Sequence, residues 1–392
     1  KQFPASDLIP QAQYRRARAL MNLSNWKDAA ATFAAMIQDS PKHELARSAQ
    51  VNVAACFQEL KQWDDAAKAH DAAINNYAAG DDQARLYYEL AWSHREAGRL
   101  DAALKAFRGL AEEFPKDPLA ADAFFHLAED AYKAQDSAKL DEARGFYEKV
   151  LEVSQDKRLM DKALYRIGWC RWQQAQYTES AKAFDRLIDA CPQSELLPDA
   201  LFQSGLSHAH NGDKELAEER MARLTSEATF EDFAYHADAL LALSDHRLAL
   251  ANPTAALESL DTYLATYAEH HDVPRAQLLK GKALYALKRY ADAMTSLETC
   301  TGLTRSATAA EAQFYIGQTY QIQSNYKDAL VAYLRVQALY SGEKEWGGAA
   351  TFESAKCYDA LGKPGEATAA LKDVVSQYKD TRWAKLAADR LK

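Results

Sequence analysis

The sequence predicts an all-α solenoid of antiparallel helix pairs, about ten pairs long and closed by a capping helix. Three observations carry that expectation. A bulky residue recurs at Trp26, Trp63, Leu100, Leu140, Tyr177, Lys214, Pro253, Tyr290, Tyr326 and Pro364, with gaps of 37, 37, 40, 37, 37, 39, 37, 36 and 38 residues. Small and large apolar residues stand at fixed offsets from each of these positions, numbered i below. The prolines fall at helix boundaries in the register that those offsets define.

Within each repeat the second helix, B, opens at i. Three and seven residues later come Ala29 and Phe33, Ala66 and His70, Ala103 and Phe107, Ala143 and Tyr147, and Ser180 and Phe184. The series continues with Ala217 and Met221, Ala256 and Leu260, Ala293 and Leu297, Ala329 and Tyr333, and Ala367 and Leu371. Offsets of three, four and seven residues place these side chains on one helical face. Nine residues before i, in the first helix, A, stands a small residue: Ala17, Ala54, Ala91, Gly168, Gly205, Ser244, Gly281, Gly317 or Ala355. In the fourth repeat it is Ala128, displaced by an insertion of about three residues. Glycine inside a helix costs about 1 kcal/mol relative to alanine. Its recurrence at this slot implies that a neighbouring helix approaches closely there.

The prolines punctuate the elements in order. Pro10, Pro198 and Pro274 sit in the first turn of an A helix, where the missing N–H is harmless. Pro253 and Pro364 open B helices, Pro118 precedes the A helix of the inserted repeat, and Pro41, Pro115 and Pro192 follow B helices. Lengthened stretches before Leu140 and around Thr229 to Phe233 mark places where the stacking changes.

These positions resemble the tetratricopeptide repeat, as Gly168, Tyr177, Ser180, Phe184 and Pro192 show for the fifth repeat. The family's period is about 34 residues; here it averages a little under 38. Phe114-Pro115 followed by Ala123 to Ala128, and Cys191-Pro192 followed by Ala200 to Gly205, resemble a longer-period subclass. That subclass is found in bacterial envelope proteins such as the Tol-Pal-associated factor and the lipoprotein of outer-membrane assembly. The resemblance implies a right-handed superhelical solenoid spanning the chain. It also implies a periplasmic or outer-membrane-associated setting, with a cytoplasmic scaffold as the alternative.

Phe3 and Pro4 match the close of a repeat, so residues 1–9 read as the tail of a truncated one and the chain is expected to continue upstream. Residues 10–380 then hold ten repeats. Residues 381–392 read as a capping helix, with Trp383, Leu386, Ala387 and Leu391 facing inward.

Composition narrows the function. With 47 basic and 56 acidic residues the net charge is -9, and no basic stripe with interleaved aromatics suggests nucleic acid. No stretch has the length of a membrane span. The five cysteines, Cys56, Cys170, Cys191, Cys300 and Cys357, contain no CxxC and suit core positions, with a Cys170–Cys191 bond left open. His208 and His210 point in different directions on a helix, and His270-His271-Asp272 lies at a junction. Neither pattern calls for a metal, and no catalytic constellation or cofactor motif stands out.

Function therefore falls to surfaces that packing leaves free. In the family, positions i−12 and i−8 of the A helices face the concave groove. Aromatics concentrate there in repeats three to six: Tyr88, Trp92, Phe125, Tyr165, Trp169 and Phe202. Such a track suits a protein or peptide partner, although the same rings could fill seams between helices. The carboxylate-clamp positions hold Tyr14, Arg18, Asn52, Arg85 and Glu89, of which Asn52 alone fits fully. The expected function is a non-enzymatic protein-interaction scaffold in a bacterial envelope assembly. The alternative is the accessory solenoid of a larger enzyme similar to lytic transglycosylases, whose catalytic part would lie outside this sequence.

Overall fold

The computed structural model describes residues 8–134 and 136–392. Phe3 and Pro4 lie outside them. Among the described residues there are twenty-one α-helices and no strand. The pairs are α1 (Leu8–Asn22) with α2 (Trp26–Asp39), α3 (Ala46–Glu59) with α4 (Trp63–Asn75), α5 (Gln83–Glu96) with α6 (Leu100–Glu113), α7 (Ala120–Lys133) with α8 (Ser137–Val153), and α9 (Lys157–Gln173) with α10 (Tyr177–Ala190). There follow α11 (Leu197–Asn211) with α12 (Lys214–Ser226), α13 (His236–Ala249) with α14 (Pro253–Thr266), α15 (Val273–Ala286) with α16 (Tyr290–Leu303), α17 (Ala307–Ile322) with α18 (Tyr326–Leu339), and α19 (Lys344–Ala360) with α20 (Pro364–Gln377). A last helix, α21 (Arg382–Arg390), packs on α19 and α20. The chain forms two compact halves, the first ending at Ala200 and the second beginning at Leu201. From α1 to α10 and from α12 to α21, each helix packs on the next.

Nine of the ten B helices start at i itself. The exception is the fourth, where α8 starts at Ser137, three residues before Leu140. The inserted residues thus form an extra N-terminal turn of helix B. Asp136 caps that turn, its Oδ1 accepting from the Lys139 N–H at 2.9 Å. The second lengthened stretch contains a short 3₁₀ turn, Ala228–Phe230. The period follows from the lengths: in the third repeat two 14-residue helices are joined by the three residues 97–99 and followed by the six residues 114–119.

The reversal between A and B has one recurring geometry. The residue at i−2 is left-handed in nine repeats: Ser24, Lys61, Gly98, Ala175, Gly212, Ala251, Lys288, Ser324 and Gly362, with φ between 55° and 87°. In each of them the N–H at i−1 donates to the carbonyl at i−6 over 2.8–3.0 Å, as from Gln62 to Phe57. This is the Schellman arrangement, which uses two otherwise idle carbonyls at the end of helix A. Six of the nine positions carry a side chain, at a conformational cost of about 1 kcal/mol each.

The close approach expected from the small residues is present. A Cβ on Gly168 would lie 2.6–2.7 Å from the ring carbons of Phe184, and one on Gly281 would lie 2.5 Å from Leu297 Cδ2. A Cβ on Gly317 would strike the Tyr333 ring. In each case the slot at i−9 receives the side chain at i+7. Phe33, Tyr147, Phe184, Leu260 and Tyr333 are all fully buried. Ser180, at the usual alanine position, is satisfied across the seam, its hydroxyl donating to the Gly168 carbonyl at 3.0 Å.

Two stability measurements test this packing. Gly168→Ala should destabilise by about 1–3 kcal/mol in urea titration, despite the better helix propensity of alanine. Gly205→Ala should cost less, because the nearest atom there is the movable Met221 Cε at 2.7 Å; equal costs would remove the ring as the cause. At the turns, Ala251→Gly should raise stability by up to about 1 kcal/mol by releasing the left-handed strain. A loss at that position would contradict the turn geometry.

Candidate functional site

Tyr88, Trp92, Phe125, Tyr165 and Trp169 lie on the A helices of the first half and are all half-buried. Each rests edge-on against the B-helix ring of its own repeat. Tyr88 and Trp92 meet Phe107 at 6.5 and 6.4 Å between centroids, Phe125 meets Tyr147 at 5.7 Å, and Tyr165 and Trp169 meet Phe184 at 5.8 and 6.5 Å. The same rings therefore fill the A–B seam and border the surface. Phe202 belongs to the second half and differs. It is 8% exposed and stacks at 5.5 Å on Tyr235, which comes from the segment after the 3₁₀ turn.

Polar bonds link successive A helices one repeat apart. A recurrent form runs from i−5 of one repeat to i−11 of the next. Gln58 Nε2 donates to Glu89 Oε2 at 2.8 Å, the Arg95 guanidinium lies 3.0 Å from His126 Nε2, and Gln321 Nε2 donates to Glu353 Oε2 at 3.1 Å. In the fourth repeat, counting from Ser137, the same position holds Tyr132, whose ring carries the Arg166 guanidinium at 4.8 Å. Arg166 also grips Glu129 with two bonds of 2.8 and 3.2 Å, and Tyr147 donates to the same carboxylate at 2.5 Å. Tyr88 donates to Asp122 at 3.2 Å. These bonds tie each A helix to the next.

Two open clefts flank Trp92 in the first half. One, of about 470 Å³, lies between the end of α3, the start of α4 and the C-terminal half of α5. Glu59, Trp63, Glu89, Trp92 and Glu96 line it, with Lys61 at the left-handed turn. The other, of about 300 Å³, lies between α5, α6 and α7 and is lined by Arg95, Phe107, Phe125 and His126. The Arg95 guanidinium covers the Trp92 ring at 4.7 Å. The first cleft was not anticipated from the sequence. Its signal was an acid at i−4 in two consecutive repeats, Glu59 and Glu96.

Other sequence candidates find structural roles. At the clamp positions, Asn52 Nδ2 donates to Tyr14 Oη at 3.1 Å and to the Ser48 carbonyl at 2.8 Å. His208 is buried, 3.5 Å from Asp213, whereas His210 is exposed. His270, His271 and Asp272 bring three ligand atoms within 4.8 Å of one another. Yet His270 Nδ1 pairs with the Tyr263 hydroxyl at 2.7 Å and lies 3.4 Å from the Asp272 N–H. His43 Nδ1, Asp117 Oδ1 and Ser194 Oγ accept similarly, each from the N–H two residues on, at other B–A junctions. The histidine thus does a turn-closing task. All five cysteines are buried free thiols, Cys170 and Cys191 among them. No described helix is long and apolar enough to cross a membrane.

A tetratricopeptide-repeat model matches residues 11–43, 162–194 and 349–381, and a second matches residues 54–118, 88–151 and 236–299. The chain is built of tetratricopeptide repeats. Among solved structures it is similar to the C-terminal part of a TPR repeat-containing protein from Cytophaga hutchinsonii, at 16% identity, covering 70% of this chain and 99% of that one with a TM-score of 0.43. It is also similar to MamA (18% identity, 45% and 94% covered, TM-score 0.37). A tetratricopeptide repeat protein from Parabacteroides merdae gives 15% identity, 68% and 98% covered, and a TM-score of 0.35. No curated protein matches the chain.

One i+7 slot carries an imidazole where the others carry Phe, Tyr, Met or Leu. At i+7 of the second repeat stands His70, 2% exposed, with neither ring nitrogen hydrogen-bonded among the described residues. Burial, aided by the charge of Arg85, pushes its pKa down to about 4. Between the ordinary value of 6.5 and about 4, the unfolded chain binds a proton that the folded chain refuses. Stability is therefore full above that window and falls as pH drops through it. At pH 5 the loss should be about 2 kcal/mol. Thermal melts of His70→Phe should lack this component, and an unchanged pH dependence would remove His70 as its source.

Proposed function

We propose that this chain is a non-enzymatic protein-interaction scaffold whose partner, a protein or extended peptide, lies along the A helices of the first half. The tetratricopeptide architecture supports a protein partner. Trp92 and Trp169 carry the choice of surface. At their register position, i−8, the fold accepts Arg18, Ala55, Glu129, Leu206, Asp245, Lys282, Gln318 and Lys356 elsewhere. Packing therefore does not demand an indole there. Large amphipathic rings that the fold does not require and that are held half-buried, Trp92 beside an open cleft, are the side chains that dominate protein interfaces. The bonds through Glu129, Arg166 and Asp122 position the neighbouring helices, which lowers the ordering cost of binding.

The setting we propose is a bacterial envelope assembly, periplasmic or attached to the outer membrane. That part of the reading rests on the period near 38 residues and on the junction sequences Phe114-Pro115 and Cys191-Pro192.

Crosslinking capture from the native organism tests the surface. Trp92→Ala combined with Trp169→Ala should reduce capture of a specific partner at least tenfold, about 1.4 kcal/mol or more. Trp383→Ala is the control, since that ring lies on α21 in the second half and packs on Phe352 at 5.6 Å. Retained capture by the double variant, or equal loss in the control, would reject the A-helix surface.

A further inference from the structure

We propose that the cleft between α3, α4 and α5 receives a basic side chain, an arginine above all, from the bound protein or peptide. This inference rests on the A-helix face being the binding surface. The cleft joins two indoles, Trp63 and Trp92, to three carboxylates, Glu59, Glu89 and Glu96, against a single ammonium, Lys61. The carboxylates are not equally committed. Glu89 accepts from Gln58 at 2.8 Å and has Arg85 at 3.8 Å. Glu59 and Glu96 make no hydrogen bond or ion pair among the described residues. Two exposed carboxylates at the rim of a pocket walled by indole are thus left without a counter-charge.

A second observation points to the same chemistry. Trp92 already holds one guanidinium, that of Arg95, at 4.7 Å from its ring. Arg95 lines the neighbouring cleft and not this one. The ring's affinity for a planar cation is therefore realised within the chain, while the acidic cleft has aromatic wall and free carboxylates but no arginine of its own. A guanidinium suits this combination better than an ammonium, since it can stack on indole and still present its N–H groups edgewise to carboxylates. The volume of about 470 Å³ accommodates one long side chain with some of its backbone. The charge is opposite to that of a site for a peptide C-terminus, in keeping with Asn52 being spent on Tyr14.

The test uses the whole chain labelled with 5-fluorotryptophan, with the ¹⁹F signals of Trp63 and Trp92 assigned through Trp63→Phe and Trp92→Phe. The probes are N-acetyl-argininamide and its uncharged isostere N-acetyl-citrullinamide. The arginine probe should shift both signals saturably at millimolar concentration, about tenfold more tightly than citrulline. Glu59→Gln combined with Glu96→Gln should weaken it at least fivefold with the thermal melt unchanged, both residues being exposed. Absence of a saturable shift, an equal response to citrulline, or undiminished binding in the double variant would each overturn the assignment. These outcomes are separable from the partner surface itself. If arginine fails while partner capture still depends on Trp92 and Trp169, only the cleft's specificity falls.

Discussion

Each repeat depends on one steric relation: the side chain at i+7 of helix B must enter the space left by a missing or minimal side chain at i−9 of helix A. At Gly168, Gly281 and Gly317 that space would not admit even a methyl group without movement of Phe184, Leu297 or Tyr333. This contact sets how closely A and B approach and which face of each is turned outward. It brings the A helices of adjacent repeats near enough for bonds such as Gln58–Glu89 and Glu129–Arg166 to form. The rings of Tyr88, Trp92, Tyr165 and Trp169 take their orientation from the same place, because they lean on the very rings that fill the slots.

Helix order, pairing and the starts of nine B helices were legible in the sequence because they follow from a spacing repeated ten times. What escaped was local or many-sided. The insertion before Leu140 had two equivalent outcomes, a longer turn or a longer helix, and the Asp136 cap selects the helix. The left-handed residue at i−2 carried no compositional mark, since serine, lysine and alanine occupy it as well as glycine. The aromatic track was visible as a register. Its dual character was not, because whether a ring at i−12 fills a seam or borders a cleft depends on the neighbouring helix. Phe202 illustrates this, being covered by Tyr235 from the junction that leads into α13.

The acidic cleft was hidden for another reason. In the sequence Trp63 is marked only as the bulky residue that opens a helix, and nothing there sets Glu59 and Glu96 apart from other acidic residues. Only the reversal at Lys61 brings the end of α3 and the start of α4 together beside α5. His70, by contrast, stands in plain sight at i+7 of the second repeat. Its consequence needed the burial that the sequence could not quantify, and that burial places its pKa near 4.

The five buried thiols carry a further consequence. Burial pushes the pKa of Cys170 and Cys300 to about 12 and that of Cys56 and Cys357 to about 11, so the reactive thiolate is scarce while a repeat is closed. Reaction with a thiol reagent must then wait for the local pair to breathe. Cys56 sits in the second repeat, Cys170 in the fifth, Cys191 at the junction that follows it, Cys300 in the eighth and Cys357 in the tenth. The chain thereby contains its own set of stopwatches, and the order in which these sulfurs are modified ranks the opening rates of its repeats.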